Sequence, residues 1–206
     1  MKGEDKMLTT IGFILFGYFT GSLLFARYFS NLFCGKDVTV DTPDSNPGTY
    51  NAYTYGGFWC GALVCDLLKG FLPVFLYIRV SGGTPLGLVL VMSAPALGHI
   101  FPIWHKFDGG KGIAVSFGVL LGLAPNMLPV LTLALTYLLF SLVFKVNPHF
   151  YRLILTYSTA FGIILLTSRS IPVTLGCAAV FVIVLLKIIS VRDTYDKMTV
   201  RAAWKR

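Results

Sequence analysis

Residues 98–114 read GHIFPIWHKFDGGKGIA and separate two apolar segments of the chain. The Gly-Gly-Lys-Gly turn at residues 109–112 lets backbone N–H groups approach a ligand closely, because glycine has no Cβ in the way. An apolar run starts at Ile113, so we expect the turn to lie at a helix N-terminus, where unpaired N–H groups and the helix dipole favour an anion. Together with the cation of Lys111, the stretch predicts a site for a phosphate group at a membrane surface.

Two other interpretations compete with a phosphate site. A nucleotide-binding P-loop needs Gly six residues before its Lys and Ser or Thr directly after it. The chain has His105 and Gly112 at these positions, which excludes a P-loop. A plain turn between two membrane helices stays open on this stretch alone.

The composition is that of an integral membrane protein. Of the 206 residues, 55% are hydrophobic and 13% are charged, whereas soluble domains carry roughly 25% charged residues. The net charge of +8 does not indicate nucleic acid, because the basic residues cluster at the ends of apolar runs, as topology signals do. The four cysteines form no CxxC pair and predict neither a metal site nor a disulfide framework. We expect one polytopic domain over residues 1–206.

The apolar pattern predicts an all-α bundle of about seven transmembrane helices. A first, retained span at residues 7–27 contains Gly17 and Gly21, whose spacing lets a neighbouring helix approach closely. Pro95 and Pro102 are expected to kink the third span. The other predicted spans are residues 58–80, 85–104, a short 113–124, 127–144, 152–167 and 171–189.

Lysine and arginine residues give the expected orientation. If the loop after the first span is cytoplasmic, twelve of them lie on that side, and the other side keeps Lys2, Lys6, Arg79 and Arg169. This asymmetry predicts an N-terminus outside and a C-terminus in the cytoplasm. The long polar segment at residues 29–57 and the glycine turn then face the cytoplasm together, where they form one site.

Two charged residues, Asp66 and Lys69, interrupt the second span. They are three residues apart and share a helix face. Charges at membrane depth are costly and rarely face lipid. The two side chains therefore either pair within the bundle or line a polar cavity.

Four motifs between residues 17 and 122 carry a family resemblance. The first span ends in Gly21-Ser22-Leu23-Leu24-Phe25, and the polar loop contains Asn46-Pro47-Gly48 and Asn51. The second span carries a DxxKGxxP motif in Asp66, Lys69, Gly70 and Pro73. The longest motif, GHxFPxxxxFxGGKGVA, is matched by Gly98, His99, Phe101, Pro102, Phe107, Gly109, Gly110, Lys111, Gly112 and Ala114. These motifs resemble those of the bacterial acyl-phosphate:glycerol-3-phosphate acyltransferase family, PlsY.

The resemblance implies transfer of a fatty acyl group from acyl phosphate to the sn-1 hydroxyl of glycerol 3-phosphate. The product would be lysophosphatidic acid for phospholipid synthesis, made by a multi-pass protein of the bacterial cell membrane. It implies partners among membrane lipids, no cofactor or metal, and function as a monomer. The expected catalytic residues are Asp44, His99 and Lys111. The expected substrate-binding residues are Ser45, Asn46, Gly48, Asn51, Gly109, Gly110 and Gly112.

The chain departs from the family in the polar loop and near its C-terminus. Asp44, followed by Ser45, stands where the family has Ser, and Thr54 stands where it has Arg. The family's C-terminal His, Asn and Glu have no counterpart after Lys187. Asp44 is either a general base for the acceptor hydroxyl, if its pKa is tuned, or the cap of a turn. Unchanged turnover in Asp44→Asn would reject the first role.

A non-catalytic function is the alternative hypothesis. The protein would then bind or transport a phosphorylated metabolite, with the glycine turn serving only as an anion site. Asp66 and Lys69 would line the path of that metabolite through the membrane.

Overall fold

The computed structural model of the chain describes residues 3–35, 59–81, 84–191 and 197–201. A 3-10 turn at Ile103–His105 and a π-helical turn at Leu139–Val143 interrupt the α-helical pattern. Two short strands, β1 (Val146–Asn147) and β2 (Thr199–Val200), pair antiparallel. Within the described residues, the α-helices are α1 (Gly3–Gly21), α2 (Phe25–Cys34), α3 (Trp59–Ser81), α4 (Pro85–Ile100), α5 (Ile113–Leu121), α6 (Leu128–Leu138), α7 (His149–Thr167) and α8 (Ile171–Ser190).

Each of the seven predicted segments contains a helix close to the expected place. Five helical stretches of the described chain are long and apolar enough to cross a membrane: Gly3–Phe33, Cys60–Ser81, Pro85–His105, His149–Thr167 and Ile171–Ser190. The predicted short fourth segment is confirmed as α5, whose nine residues extend about 14 Å, well below the ~30 Å of a bilayer core. The neighbouring apolar stretch Leu128–Val143 is also shorter than the five.

Two details of the helix prediction were wrong. The first helix ends at Gly21 instead of continuing to Arg27, and residues 22–24 separate it from α2. In this break the Ser22 hydroxyl donates to the Tyr18 carbonyl oxygen at 2.8 Å, which satisfies one of the last carbonyls of α1. Pro102 does not kink a helix either, because α4 ends at Ile100 and Pro102 begins the 3-10 turn.

Glycine residues bring α1 into close contact with α4. Gly17 and Gly21 are buried against Pro95 of α4, and a Cβ placed on Gly17 would lie 3.2 Å from the proline ring. A Cβ on Gly98 would collide with the backbone of Tyr18. The packing role predicted for the Gly17 and Gly21 pair is therefore confirmed, and this crossing fixes the start of residues 98–114 beside the end of α1.

A second glycine crossing joins α3 to α5. A Cβ on Gly70 would collide with the carbonyl oxygen of Val115, and a Cβ on Gly118 would collide with that of Leu67. Close backbone approach of this kind is a common basis of helix association in membranes, since lipid supplies no hydrophobic drive between helices. The crossing anchors the helix that follows the glycine turn.

The connections of the bundle lie at two opposite ends. At one end the stretch 98–114 adjoins the end of α1, through a hydrogen bond of 2.9 Å from the Tyr18 hydroxyl to the Phe101 carbonyl. The same end receives the last turn of α8, and the tail strand β2 pairs with β1. At the other end, Thr10 bonds Tyr77 at 3.0 Å, close to Thr84. Residues 36–57 of the polar segment lie outside the described residues, so its predicted grouping with the glycine turn stays a prediction, and the structure does not assign a compartment to either end.

Candidate phosphate site at the glycine turn

The glycine turn lies directly before a helix, as the sequence predicted. Gly112 is the N-cap of α5 and has a φ of 79°, in the left-handed region that favours glycine. Its carbonyl accepts the first helical hydrogen bond, from the Ser116 N–H at 2.9 Å. Lys111 thus precedes the N-cap, next to the helix end that favours an anion.

The turn also packs tightly on His99, a contact that no sequence pattern indicates. The Gly110 N–H donates to the His99 carbonyl at 3.1 Å, so this N–H is already bonded inside the protein. A Cβ on Gly109 would collide with the same carbonyl oxygen, and a Cβ on Gly110 would collide with Nε2 of the imidazole. These glycines are therefore required for contact between the turn and α4, in addition to any role in ligand approach.

Below the turn, three buried polar side chains form a network. The Lys69 ammonium lies 2.8 Å from the Asp66 carboxylate and 2.8 Å from Nδ1 of His99. It also donates to the carbonyl oxygen of Leu23 at 2.5 Å. Asp66 and Lys69 therefore pair within the bundle, which was one of the two interpretations left open. The three side chains are 2% to 4% exposed.

The contact with Lys69 defines the tautomer of His99. An ammonium group can only donate hydrogen bonds, so Nδ1 of the imidazole accepts and Nε2 carries the proton. Nε2 faces Gly110. His99 is therefore buried beneath the glycine turn, and its Nε2–H points toward Gly110 of the turn. This location suits a residue that positions the turn, and its predicted catalytic role stays a prediction.

The break between α1 and α2 supplies the carbonyl that Lys69 uses. Leu23 lies between α1 and α2, so its carbonyl is free to accept a hydrogen bond from another helix. Lys69 of α3 thus connects the α1–α2 break to His99 of α4. The Tyr28 hydroxyl of α2 lies 3.0 Å from Nε2 of His105 and adds a second connection to the stretch before the turn.

The last turn of α8 packs against the glycine turn and the residue before it. A Cβ on Gly112 would lie 3.4 Å from Val184. One helical turn later, the Lys187 ammonium is 4.0 Å from the Asp108 carboxylate, with side chains 12% and 85% exposed. In the sequence, Lys187 is one of the twelve basic residues that predict the orientation, and no pattern in α8 connects it to residues 98–114.

An apolar groove of about 200 Å³ runs beside this network. Lys69 is its charged lining residue. The other lining residues are Phe16, Thr20, Leu23, Phe25, Cys65, Leu68, Leu72 and Pro73. The groove brings a surface suited to an apolar chain next to the buried polar network.

The described residues bring five of the predicted site residues together. His99, Gly109, Gly110, Lys111 and Gly112 form one compact unit at the start of α5. The predicted residues of the polar loop lie outside the described residues, and their roles stay predictions. They are Asp44, Ser45, Asn46, Gly48 and Asn51.

The fold and this unit define a class of protein: a helical integral membrane protein with a glycine turn directly before a helix N-terminus at one end of its bundle. A sequence description of one family, glycerol-3-phosphate acyltransferase, matches residues 11–199. The chain belongs to this family.

Individual relatives agree with the family match. A glycerol-3-phosphate acyltransferase of Myxococcus xanthus is 35% identical over 178 residues, which are 85% of this chain and 90% of the relative. One of Erwinia tasmaniensis is 42% identical over 112 residues, or 53% of this chain and 54% of the relative. The second relative is more identical over fewer residues, so its similarity to this chain is concentrated in the 112 matched residues.

Two solved structures share the fold. They are crystal structures of PlsY, an integral membrane glycerol 3-phosphate acyltransferase, in a glycerol 3-phosphate form and a lysophosphatidic acid form. The TM-scores are 0.74 and 0.71, at 22% and 20% identity, with 88% and 86% of this chain covered. The matches cover 88% and 87% of the two solved chains.

Proposed function

We propose that the protein transfers a fatty acyl group from acyl phosphate to the sn-1 hydroxyl of glycerol 3-phosphate, which yields lysophosphatidic acid and phosphate. The observation that carries the proposal is the family match over residues 11–199, within which the glycine turn lies on a buried network of Lys69, Asp66 and His99. Both substrates carry a phosphate, and the N-terminus of α5 is suited to hold one.

The acceptor hydroxyl attacks the acyl carbon directly in this mechanism. A bond forms between the sn-1 oxygen and the acyl carbon, and the bond from that carbon to the phosphate oxygen breaks, so that phosphate leaves. The hydroxyl proton passes to Asp44 if it is the base, and otherwise to the leaving phosphate. Lys111 and the turn bind a phosphate, and His99 holds the turn in place through Gly110. From the polar loop, Ser45, Asn46, Gly48 and Asn51 orient the substrates, and Asp44 is the base or caps a turn.

The acyl chain of the donor needs an apolar surface near these polar groups. The groove of about 200 Å³ beside Lys69 offers such a surface and is open at one side. Its position next to the α1–α2 break supports a donor whose chain lies in the bundle while its phosphate faces the turn.

The orientation follows from the same assignment. We place the N-terminus outside and the C-terminus in the cytoplasm, in a seven-helix arrangement within the bacterial cell membrane, with the monomer as the functional unit. The glycine turn, the end of α8 and the β1–β2 pair share one end of the bundle, which supports a single substrate-facing side. A C-terminal green fluorescent protein fusion is expected to fluoresce, and a C-terminal alkaline phosphatase fusion to be inactive. The reverse pattern would contradict the orientation.

Lys111 is expected to be required for activity. Lys111→Gln removes the cation at the N-terminus of α5, and we expect turnover to fall by about 100-fold, the size of a lost charge-assisted contact in the transition state. The measurement is conversion of radiolabelled palmitoyl phosphate and glycerol 3-phosphate to lysophosphatidic acid by purified protein in lipid. Lys106→Gln is the matched control, because Lys106 is an exposed lysine of the same stretch.

Three outcomes of this assay are informative. Product from the parent and Lys106→Gln, but not from Lys111→Gln, supports the proposed reaction and the site. Equal turnover in all three proteins would reject Lys111 as a site residue. If folded parent protein gives no product, the proposed reaction with these two substrates is rejected.

The transport alternative gains no support from the network. Asp66 forms an ion pair with Lys69, and Lys69 also contacts the Leu23 carbonyl and His99, so that its charge is held by groups inside the bundle. A transport path would need polar groups that face an aqueous passage. Uptake of a phosphorylated metabolite into proteoliposomes that depends on Asp66 would reopen this alternative.

A further inference from the structure

Lys187 lies where a second cation could reach a phosphate at the glycine turn. It is in the last turn of α8, and Val184, one turn earlier, adjoins Gly112. Its side chain is 12% exposed, and its ammonium lies 4.0 Å from the carboxylate of Asp108, one residue before the glycine turn. The ammonium thus lies beside the turn.

The bonding of this ammonium is incomplete within the described residues. Lysine has three donors. The nearest carboxylate oxygen, from Asp108, is 4.0 Å away, which is beyond hydrogen-bond distance. No described acceptor lies within that distance of the Lys187 ammonium. Asp108 itself is 85% exposed and belongs to the turn stretch, so it can move away from Lys187 at little cost.

We propose that Lys187 is a second phosphate-binding cation of the site, and that Asp108 competes with the substrate phosphate for it. The inference rests on the proposed function and extends it. A phosphate oxygen accepts hydrogen bonds from an ammonium at about 2.8 Å, a stronger contact than the loose ion pair with Asp108.

A purely structural role for the pair makes a different prediction. If Lys187 and Asp108 only tie α8 to the turn, removal of either partner breaks the same contact, and both changes weaken the site. If Lys187 binds phosphate and Asp108 competes, removal of the two partners has opposite effects. The sign of the Asp108 variant therefore distinguishes the two roles.

The experiment measures dissociation constants of the full-length protein in lipid nanodiscs for two probes, glycerol 3-phosphate and inorganic phosphate. Lys187→Gln is expected to weaken binding by about tenfold, since it removes one charge-assisted contact. Asp108→Asn is expected to strengthen binding by about threefold, because it removes a nearby negative charge. Lys187→Arg is expected to stay within about threefold of the parent.

Lys145→Gln is the matched control, because Lys145 is an exposed lysine of the loop before β1. Thermal unfolding of each variant verifies that it is folded. Weakened binding in both Lys187→Gln and Asp108→Asn would overturn the inference, and so would a Lys187→Gln protein that matches Lys145→Gln. A parent that binds neither probe would also overturn it. If the parent binds both probes through Lys187 but gives no lysophosphatidic acid, the inference stands and the proposed reaction fails.

Discussion

Lys69→Met is expected to destabilise the folded protein by about 3–5 kcal/mol, the usual effect of removing one partner of a buried ion pair. The Asp66 carboxylate, 2% exposed, would keep its charge without the ammonium that lies 2.8 Å away. The Leu23 carbonyl and Nδ1 of His99 would lose their donor at the same time. The measurement is the free energy of unfolding in detergent micelles, followed by circular dichroism.

Two further variants isolate the cause of that loss. The double variant Asp66→Asn with Lys69→Met removes both charges, and we expect it to regain a substantial part of the stability, because no uncompensated charge remains. Arg79→Met is the matched control on the same helix. Its guanidinium is exposed and lies over the ring of Phe75, so its loss is expected to cost at most about 1 kcal/mol. A Lys69→Met protein as stable as Arg79→Met would contradict the importance of the network.

The order of the helices could be predicted from the sequence because it depends on local patterns. Apolar runs and their breaks predicted an all-helical membrane protein and the approximate places of its helices, and the short run at residues 113–124 predicted the short α5. The end of α1 at Gly21 could not be predicted, because it depends on contacts made by other helices. The Lys69 ammonium bonds the Leu23 carbonyl, and Pro95 packs on Gly21. The sequence of residues 7–27 does not indicate that Lys69 or Pro95 contacts this segment.

The candidate site was predicted in part for the same reason. The spacing of glycines and the following apolar run placed Gly112 at a helix N-terminus, where the structure has it. The contact of Lys69 with His99 joins residues thirty positions apart on two helices, and that of Lys187 with Asp108 joins residues still further apart. Spacing along one helix showed that Asp66 and Lys69 share a face, yet it could not show that this face meets His99.

Gly110→Ala is expected to reduce acyl transfer by about 100-fold, because misplacement of a site by about 1 Å has an effect of that size. The added methyl group would collide with Nε2 of His99. His99 is buried and bonded to Lys69, so the imidazole has no room to withdraw, and the turn must shift instead. The shift would break the bond from the Gly110 N–H to the His99 carbonyl and move Lys111 away from its substrate.

The matched control is Gly162→Ala in α7, where an added Cβ meets nothing within 4 Å. Alanine is the better helix former, so this variant is expected to gain stability, by up to about 1 kcal/mol, and to keep its turnover. The palmitoyl phosphate assay compares the two variants at equal amounts of folded protein. If Gly110→Ala is as active as Gly162→Ala, the contact between the turn and His99 does not position the site. A loss confined to Gly110→Ala, with the protein still folded, would locate the cause in that contact, because both variants add the same single methyl group.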